Sequence, residues 1–129
     1  MTHREMVSIV DDDPLAREGI KELVESLGYR ASAFVSAHDF LRSEAVGRTC
    51  CVITDLQMPG LNGLELQERL QALGYHTPVI LITAYPDDEH RCRAMRAGAV
   101  GFLSKPFEEG ALVECLSIAM KRPHDWTVA

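Results

Sequence analysis

The sequence has no apolar run approaching the roughly 18 residues that a membrane-spanning helix needs. Its first residues, Met1-Thr2-His3-Arg4-Glu5, lack the apolar core of a secretory signal, which predicts a cytoplasmic protein. Basic residues are in deficit, 13 against 19 acidic for a formal charge of −6, and phosphate backbones need a basic face, so direct nucleic-acid binding is not expected. No cysteine pair has a C-x-x-C spacing. Cys50 and Cys51 are adjacent, so on a strand they face opposite sides; with Cys92 and Cys115 they are expected to be small buried filler. The five histidines, His3, His38, His76, His90 and His124, have no ligand spacing, which argues against zinc. No repeat or low-complexity segment occurs, and 124–129 carries no readable pattern. A chain of 129 residues with ordinary apolar content makes one domain with a two-sided core.

What is present is a regular alternation. Met6 to Val10 is an apolar run broken by Asp11-Asp12-Asp13-Pro14, which reads as strand, loop, then a helix with Asp13 as N-cap and Pro14 in the first turn. Ala16, Ile20, Leu23, Val24 and Leu27 share one face of that helix, and Gly28 ends it. Tyr29 to Val35 alternates weakly, as an edge strand does. Ser36 opens a short helix with Asp39 at the capping-box position, Phe40 and Leu41 on its apolar side and Gly47 near its end. The run from Cys50 is of strand length and ends in Asp55, followed by the turn signal Pro59-Gly60. Asn62 with Glu65 starts a helix whose expected buried stripe is Leu66, Leu70 and Leu73, before Gly74. Pro78 to Ile82 is the most apolar strand. Asp87, Asp88 and Glu89 in the first turn and Arg93 and Arg96 in the last suit the dipole of the next helix, which Gly98 stops. Val100 to Leu103 is a fifth strand, and Ala111 to Lys121 a last helix closed by Pro123.

Five strands alternating with five helices specify an α/β fold, a doubly wound five-stranded parallel sheet, and the flavodoxin-like order 2-1-3-4-5 makes the first and third strands neighbours at the switch point. Every polar group suited to chemistry then follows a strand: Asp11 and Asp12, Asp55, Thr83 and Lys105. Taken alone, Asp55 could equally be a loop cap and Thr83 a strand-end cap. Together they are harder to explain as caps. Carboxylates about 5 Å apart repel by roughly 3 kcal/mol per pair at an effective dielectric near 20, and the counter-ion suited to such oxygens is a hard divalent cation such as Mg²⁺. Metal, ammonium and hydroxyl around one nucleophilic carboxylate make a cradle for a phosphoryl group.

These residues carry a resemblance. The pair Asp11-Asp12, the motif Asp55-Leu56-Gln57-Met58-Pro59 with Gly63 beyond, Thr83-Ala84 and Lys105-Pro106-Phe107 resemble, in order and spacing, the receiver domain of a two-component response regulator. The likeness assigns residues 1–122 to that domain and leaves 123–129 as a tail or the start of a linker. It implies that Asp55 accepts a phosphoryl group from a phosphohistidine on a sensor histidine kinase. Asp12, Asp55 and the main-chain carbonyl of Gln57 would hold Mg²⁺ (or Mn²⁺) directly, and Asp11 through water. Lys105 would pair with the phosphate, and Thr83 with Phe102 would form the switch, the ring turning inward as Thr83 moves. Gln57 and Tyr85 would flank the attacking water and tune dephosphorylation. The bond before Pro106 is expected to be cis. Asp13 extends the acidic pair to three, where many relatives have another residue, and is read as the N-cap.

The switch would alter the face made by the fourth helix, fifth strand and fifth helix, where Arg91, Arg93, Arg96, Glu114 and Lys121 offer charges of both signs and a homodimer could form on phosphorylation. By default Phe102 is a core aromatic and the arginines a solvated helix surface. The stretches Leu56-Gln57-Met58-Pro59 and Lys105-Pro106-Phe107-Glu108 resemble FixJ-like regulators, implying transcriptional control through a DNA-binding output domain absent from this chain; a stand-alone receiver in a phosphorelay is the alternative. On either reading the chain is no enzyme beyond its own phosphorylation and dephosphorylation. A Mg²⁺-dependent phosphohydrolase with an aspartyl nucleophile would share the cluster but usually has a second acid two residues on, where Gln57 stands. A flavin carrier would share the fold, but three aspartates after the first strand would repel its phosphate.

Overall fold

The computed structural model describes residues 5–121. The tail reading and the stop at Pro123 lie outside them. Five parallel strands, β1 (Met6–Val10), β2 (Arg30–Phe34), β3 (Thr49–Asp55), β4 (Val79–Thr83) and β5 (Gly101–Ser104), form one sheet in the order β2-β1-β3-β4-β5. Between and after them run α1 (Pro14–Ser26), α2 (Ala37–Leu41), a 3₁₀ turn (Glu44–Gly47), α3 (Gly63–Ala72), α4 (Asp88–Arg96) and α5 (Glu109–Lys121).

The strand period of two sorts the core into two layers. Val52 and Leu81 point toward α2, α3 and α4 with Phe40, Leu64, Leu66, Leu70 and Ala94. Ile53 and Ile80, one residue on or back, point the other way, with Ile9, Ile20, Val24, Leu112 and Leu116 on the side of α1 and α5. β3, central in the sheet, is buried along its whole length. The caps are those that the side chains dictate. Asp13 accepts the Leu15 N–H, Ser36 the Asp39 N–H, and Asn62 and Glu65 close a reciprocal capping box. At the ends of α1, α3 and α4, Gly28, Gly74 and Gly98 take φ of 95°, 89° and 93°, the left-handed conformation glycine adopts at least cost.

Three expectations are corrected. Leu73 is not in the buried stripe of α3: it is the residue after the last turn, 57% exposed, and the stripe runs a turn earlier through Leu64, Leu66, Gln67 and Leu70. The helix opened by Ser36 breaks after one turn because Ser43 donates back to the Phe40 carbonyl and accepts the Ala45 N–H, starting a separate 3₁₀ turn. Cys92 is exposed on α4, unlike Cys50 and Cys51, which are buried, and Cys115, which is half-buried.

The switch point positions the site. From β1 the chain crosses to the edge strand β2, then returns past β1 to β3, so the ends of β1 and β3 open side by side. Asp11 and Asp55 follow Ile9 and Ile53 by two residues, and thus leave the sheet on the same side.

Candidate functional site

At the carboxyl ends of β1 and β3, Asp11 is 1% and Asp55 8% exposed, while Asp12 faces solvent. One carboxylate oxygen from each lies within 4.8 Å of the others. Lys105, just beyond β5, reaches across: its Nζ is 3.0 Å from Asp11 Oδ2 and 3.6 Å from Asp55 Oδ2. The Lys105-Pro106 bond is cis, and the Lys105 N–H donates to the Thr83 carbonyl at 2.7 Å, tying the ends of β4 and β5.

Burial above all, then the charge of Asp11, raises the Asp55 carboxyl above its ordinary range; Lys105 and the Gln57 N–H offset only part of this. Burial lowers the Lys105 ammonium, but its hydrogen bond to Asp11 and the charges of Asp11 and Asp55 outweigh that and leave it raised. Three carboxylates against one ammonium leave an excess of two negative charges, the charge of one divalent cation. All the side-chain donors are hard oxygens, as Mg²⁺ prefers. The three oxygens, all within 4.8 Å of one another, are close enough to share one such cation, two of them directly and the third through a water. The residues fit the ion.

Thr83, at the end of β4, is fully buried. Its Oγ1 donates to Gln57 Oε1 at 2.5 Å and accepts the Tyr85 N–H at 3.0 Å. Tyr85 itself is 75% exposed on the loop before α4. Phe102, opposite Leu81 in the β4–β5 ladder, lies on the face that Thr83 continues. Phe102 is 8% exposed, with the Arg91 guanidinium 5.1 Å over its ring. Its ring belongs to the same apolar cluster as Leu81 and Ala94.

Two contacts were not legible in the sequence. Arg17 Nη1 donates to the Asp11 carbonyl at 2.7 Å, bracing the loop that carries the acidic pair; a backbone acceptor leaves no sequence signature. Gln57, expected to offer its carbonyl and flank a water, uses its side chain on Thr83. Gly63, at the first position of α3, stands against the Asp55 backbone. A Cβ there would come within 2.6 Å of the Asp55 carbonyl oxygen and of Leu81 Cδ2.

With that geometry in view, the sequence profile of the response regulator receiver domain matches residues 7–117. The chain belongs to the response regulator receiver family. The receiver is 39% identical over 117 residues to Nodulation protein W of Bradyrhizobium diazoefficiens, covering 91% of this chain and 52% of that protein. It is 37% identical over 116 residues to Transcriptional regulatory protein FixJ of Azorhizobium caulinodans, covering 90% of this chain and 55% of that one. This receiver thus spans about half the length of these curated relatives. Among solved structures, FixJ-N superposes with a TM-score of 0.83 at 31% identity, over 95% of this chain and 98% of that one. No described helix is long and apolar enough to cross a membrane.

Proposed function

We propose that this receiver is a phosphorylation-dependent switch in which Asp55 takes a phosphoryl group from the phosphohistidine of a sensor histidine kinase. The observation that carries the reading is the Lys105 ammonium, poised 3.0 and 3.6 Å from Asp11 and Asp55 in a cluster of three carboxylates beyond the strand ends. A carboxylate oxygen of Asp55 attacks phosphorus, and the bond to the histidine nitrogen breaks. Asp12, Asp55 and the Gln57 carbonyl would hold Mg²⁺ (or Mn²⁺), with Asp11 acting through water. When bound, such an ion would supply charge neutralisation for the oxygens of the transferring phosphoryl group. Lys105 pairs with one of those oxygens, and Thr83 is the neutral donor on the far side. Gln57 and Tyr85 flank the path of the attacking water and set how long the acyl phosphate lasts. Incubating the protein with acetyl phosphate and Mg²⁺ should add the mass of one phosphoryl group, and EDTA should suppress the addition. An unlabelled protein, or label insensitive to chelation, overturns the assignment.

The phosphoryl group adds roughly −2 charge and three strong acceptor oxygens. We infer that the effect reaches the α4–β5–α5 face and promotes homodimerisation, or docking of an output domain, there. α4 buries only Ala94 and is held to α3 by polar contacts, among them the exposed Arg93–Glu68 pair at 2.9 Å, so few apolar contacts resist its displacement. The name of the FixJ relative supports a transcriptional output, with DNA contacted by a separate output domain rather than by this acidic one; a phosphorelay intermediate is the alternative use of the same switch. Sedimentation at tens of micromolar should show a dimer with beryllofluoride and Mg²⁺ and a monomer without. An unchanged monomer sinks dimerisation as the output and favours a heterologous partner.

A further inference from the structure

We propose that the Gln57 side chain is a latch on Thr83: the amide oxygen of Gln57 and a phosphoryl group on Asp55 compete for the single proton of the Thr83 hydroxyl. The inference rests on the reading of Asp55 as phosphoacceptor and adds a positioning role for a side chain expected only to flank a water.

A threonine hydroxyl has one proton to give. Here it is given to Gln57 Oε1 at 2.5 Å, while the oxygen lone pair takes the Tyr85 N–H at 3.0 Å. Thr83 is fully buried, so its O–H cannot turn to bulk water and leaving it without an acceptor costs a desolvation penalty. Two acceptors are within the reach of the site, the amide two residues after Asp55 and an oxygen carried by Asp55 itself. A hydroxyl that must choose between them has two discrete positions, which is what a switch needs. The charged oxygen is the stronger acceptor, so it wins when present. Gln57 is exposed, so its released amide is satisfied by solvent and the latch resists without blocking. Because the Tyr85 N–H is bonded to the same hydroxyl oxygen, the loop before α4 follows whichever acceptor holds the proton. Gln57 therefore sets the equilibrium between the two states, as distinct from the lifetime of the phosphoryl group.

Beryllofluoride with Mg²⁺ stands in for the phosphoryl group and separates equilibrium from hydrolysis, because nothing turns over. Titrations of the whole chain, followed by the amide resonances of Ala84 and Tyr85, should show Gln57→Leu binding beryllofluoride about three- to tenfold tighter than the parent, the range of one lost competing hydrogen bond. Thr83→Val, of the same shape without the hydroxyl, should bind more weakly, and Gln57→Leu in that background should change nothing. In EDTA without beryllofluoride, Gln57→Leu should already move the Tyr85 amide resonance. Equal affinities in parent and Gln57→Leu, or a tightening that persists with Thr83→Val, overturn the latch. A parent that binds no beryllofluoride removes the phosphoacceptor reading and the latch with it, and that result is recognisable because it appears in the parent.

Discussion

Asp55→Asn should take up no phosphoryl group from acetyl phosphate and Mg²⁺, and should nevertheless be the more stable protein when no metal is bound. The loss follows because an amide is not a nucleophile toward phosphorus at neutral pH, and Asp11, the other buried carboxylate of the cluster, is engaged by Lys105 at 3.0 Å. The gain follows from the sign of the Asp55 shift. Its folded-state carboxyl lies above the ordinary value of 3.8, chiefly through burial and then through Asp11. The folded protein therefore binds more protons than the unfolded chain between the ordinary and the raised value. Stability falls as pH rises through that window, and the full cost stands above it. Lys105 does not cancel the cost, since its attraction to Asp55 is already counted in the net upward shift and Asp11 holds it at the shorter distance of 3.0 Å. In EDTA at neutral pH the variant should melt higher by about 1 °C or more, and below the ordinary carboxylate value the two should converge. Label on Asp55→Asn equal to the parent's would remove Asp55 as acceptor. A melting difference independent of pH would remove the carboxylate as its source.

The residues that made the site legible are those whose chemistry is carried by side-chain type and spacing. An apolar run ending in one carboxylate fixes Asp55 at the end of a buried strand, and the same logic places Asp11, Thr83 and Lys105, because period-two burial and helix caps are local signals. The convergence of Asp11 and Asp55 followed from strand order, which alternation of strand and helix together with right-handed crossovers nearly dictates. What stayed hidden was relational. The 2.5 Å bond between Gln57 and Thr83 joins residues 26 apart through side chains whose rotamers no spacing rule fixes. Leu73 obeyed the helical period but fell just beyond the last turn of α3, where the period no longer decides burial. Phe102 showed its place in a strand but not that Arg91 would cover it.

Gly63→Ala should be among the most damaging single-atom-scale changes in the chain, although alanine is the better helix former by about 1 kcal/mol. Gly63 opens α3, and its N–H donates to the Leu56 carbonyl at 3.0 Å, so the helix start is pinned against the strand end that carries the acceptor. An added Cβ would lie 2.6 Å from the Asp55 carbonyl oxygen, 2.6 Å from Leu81 Cδ2 and 3.1 Å from Leu56 Cα. Two of these three are backbone atoms of the central, wholly buried strand region, which cannot rotate aside as a side chain end can. Overpacking of this kind costs about 1–3 kcal/mol, more than the helix propensity returns, and about 1 kcal/mol corresponds to roughly 4 °C for a domain of this size. Gly19, in the middle of α1, is the matching control: nothing lies within 4 Å of its Cβ position, so Gly19→Ala should raise the melting temperature by a few degrees. Gly63→Ala should lower it by about 5–10 °C and slow labelling from acetyl phosphate, because relief of the clash displaces the loop that carries the Gln57 carbonyl. A Gly63→Ala protein that melts with the parent and labels at the same rate would show that α3 can retreat from β3 at no cost, and that the close approach of the helix start does not position Asp55.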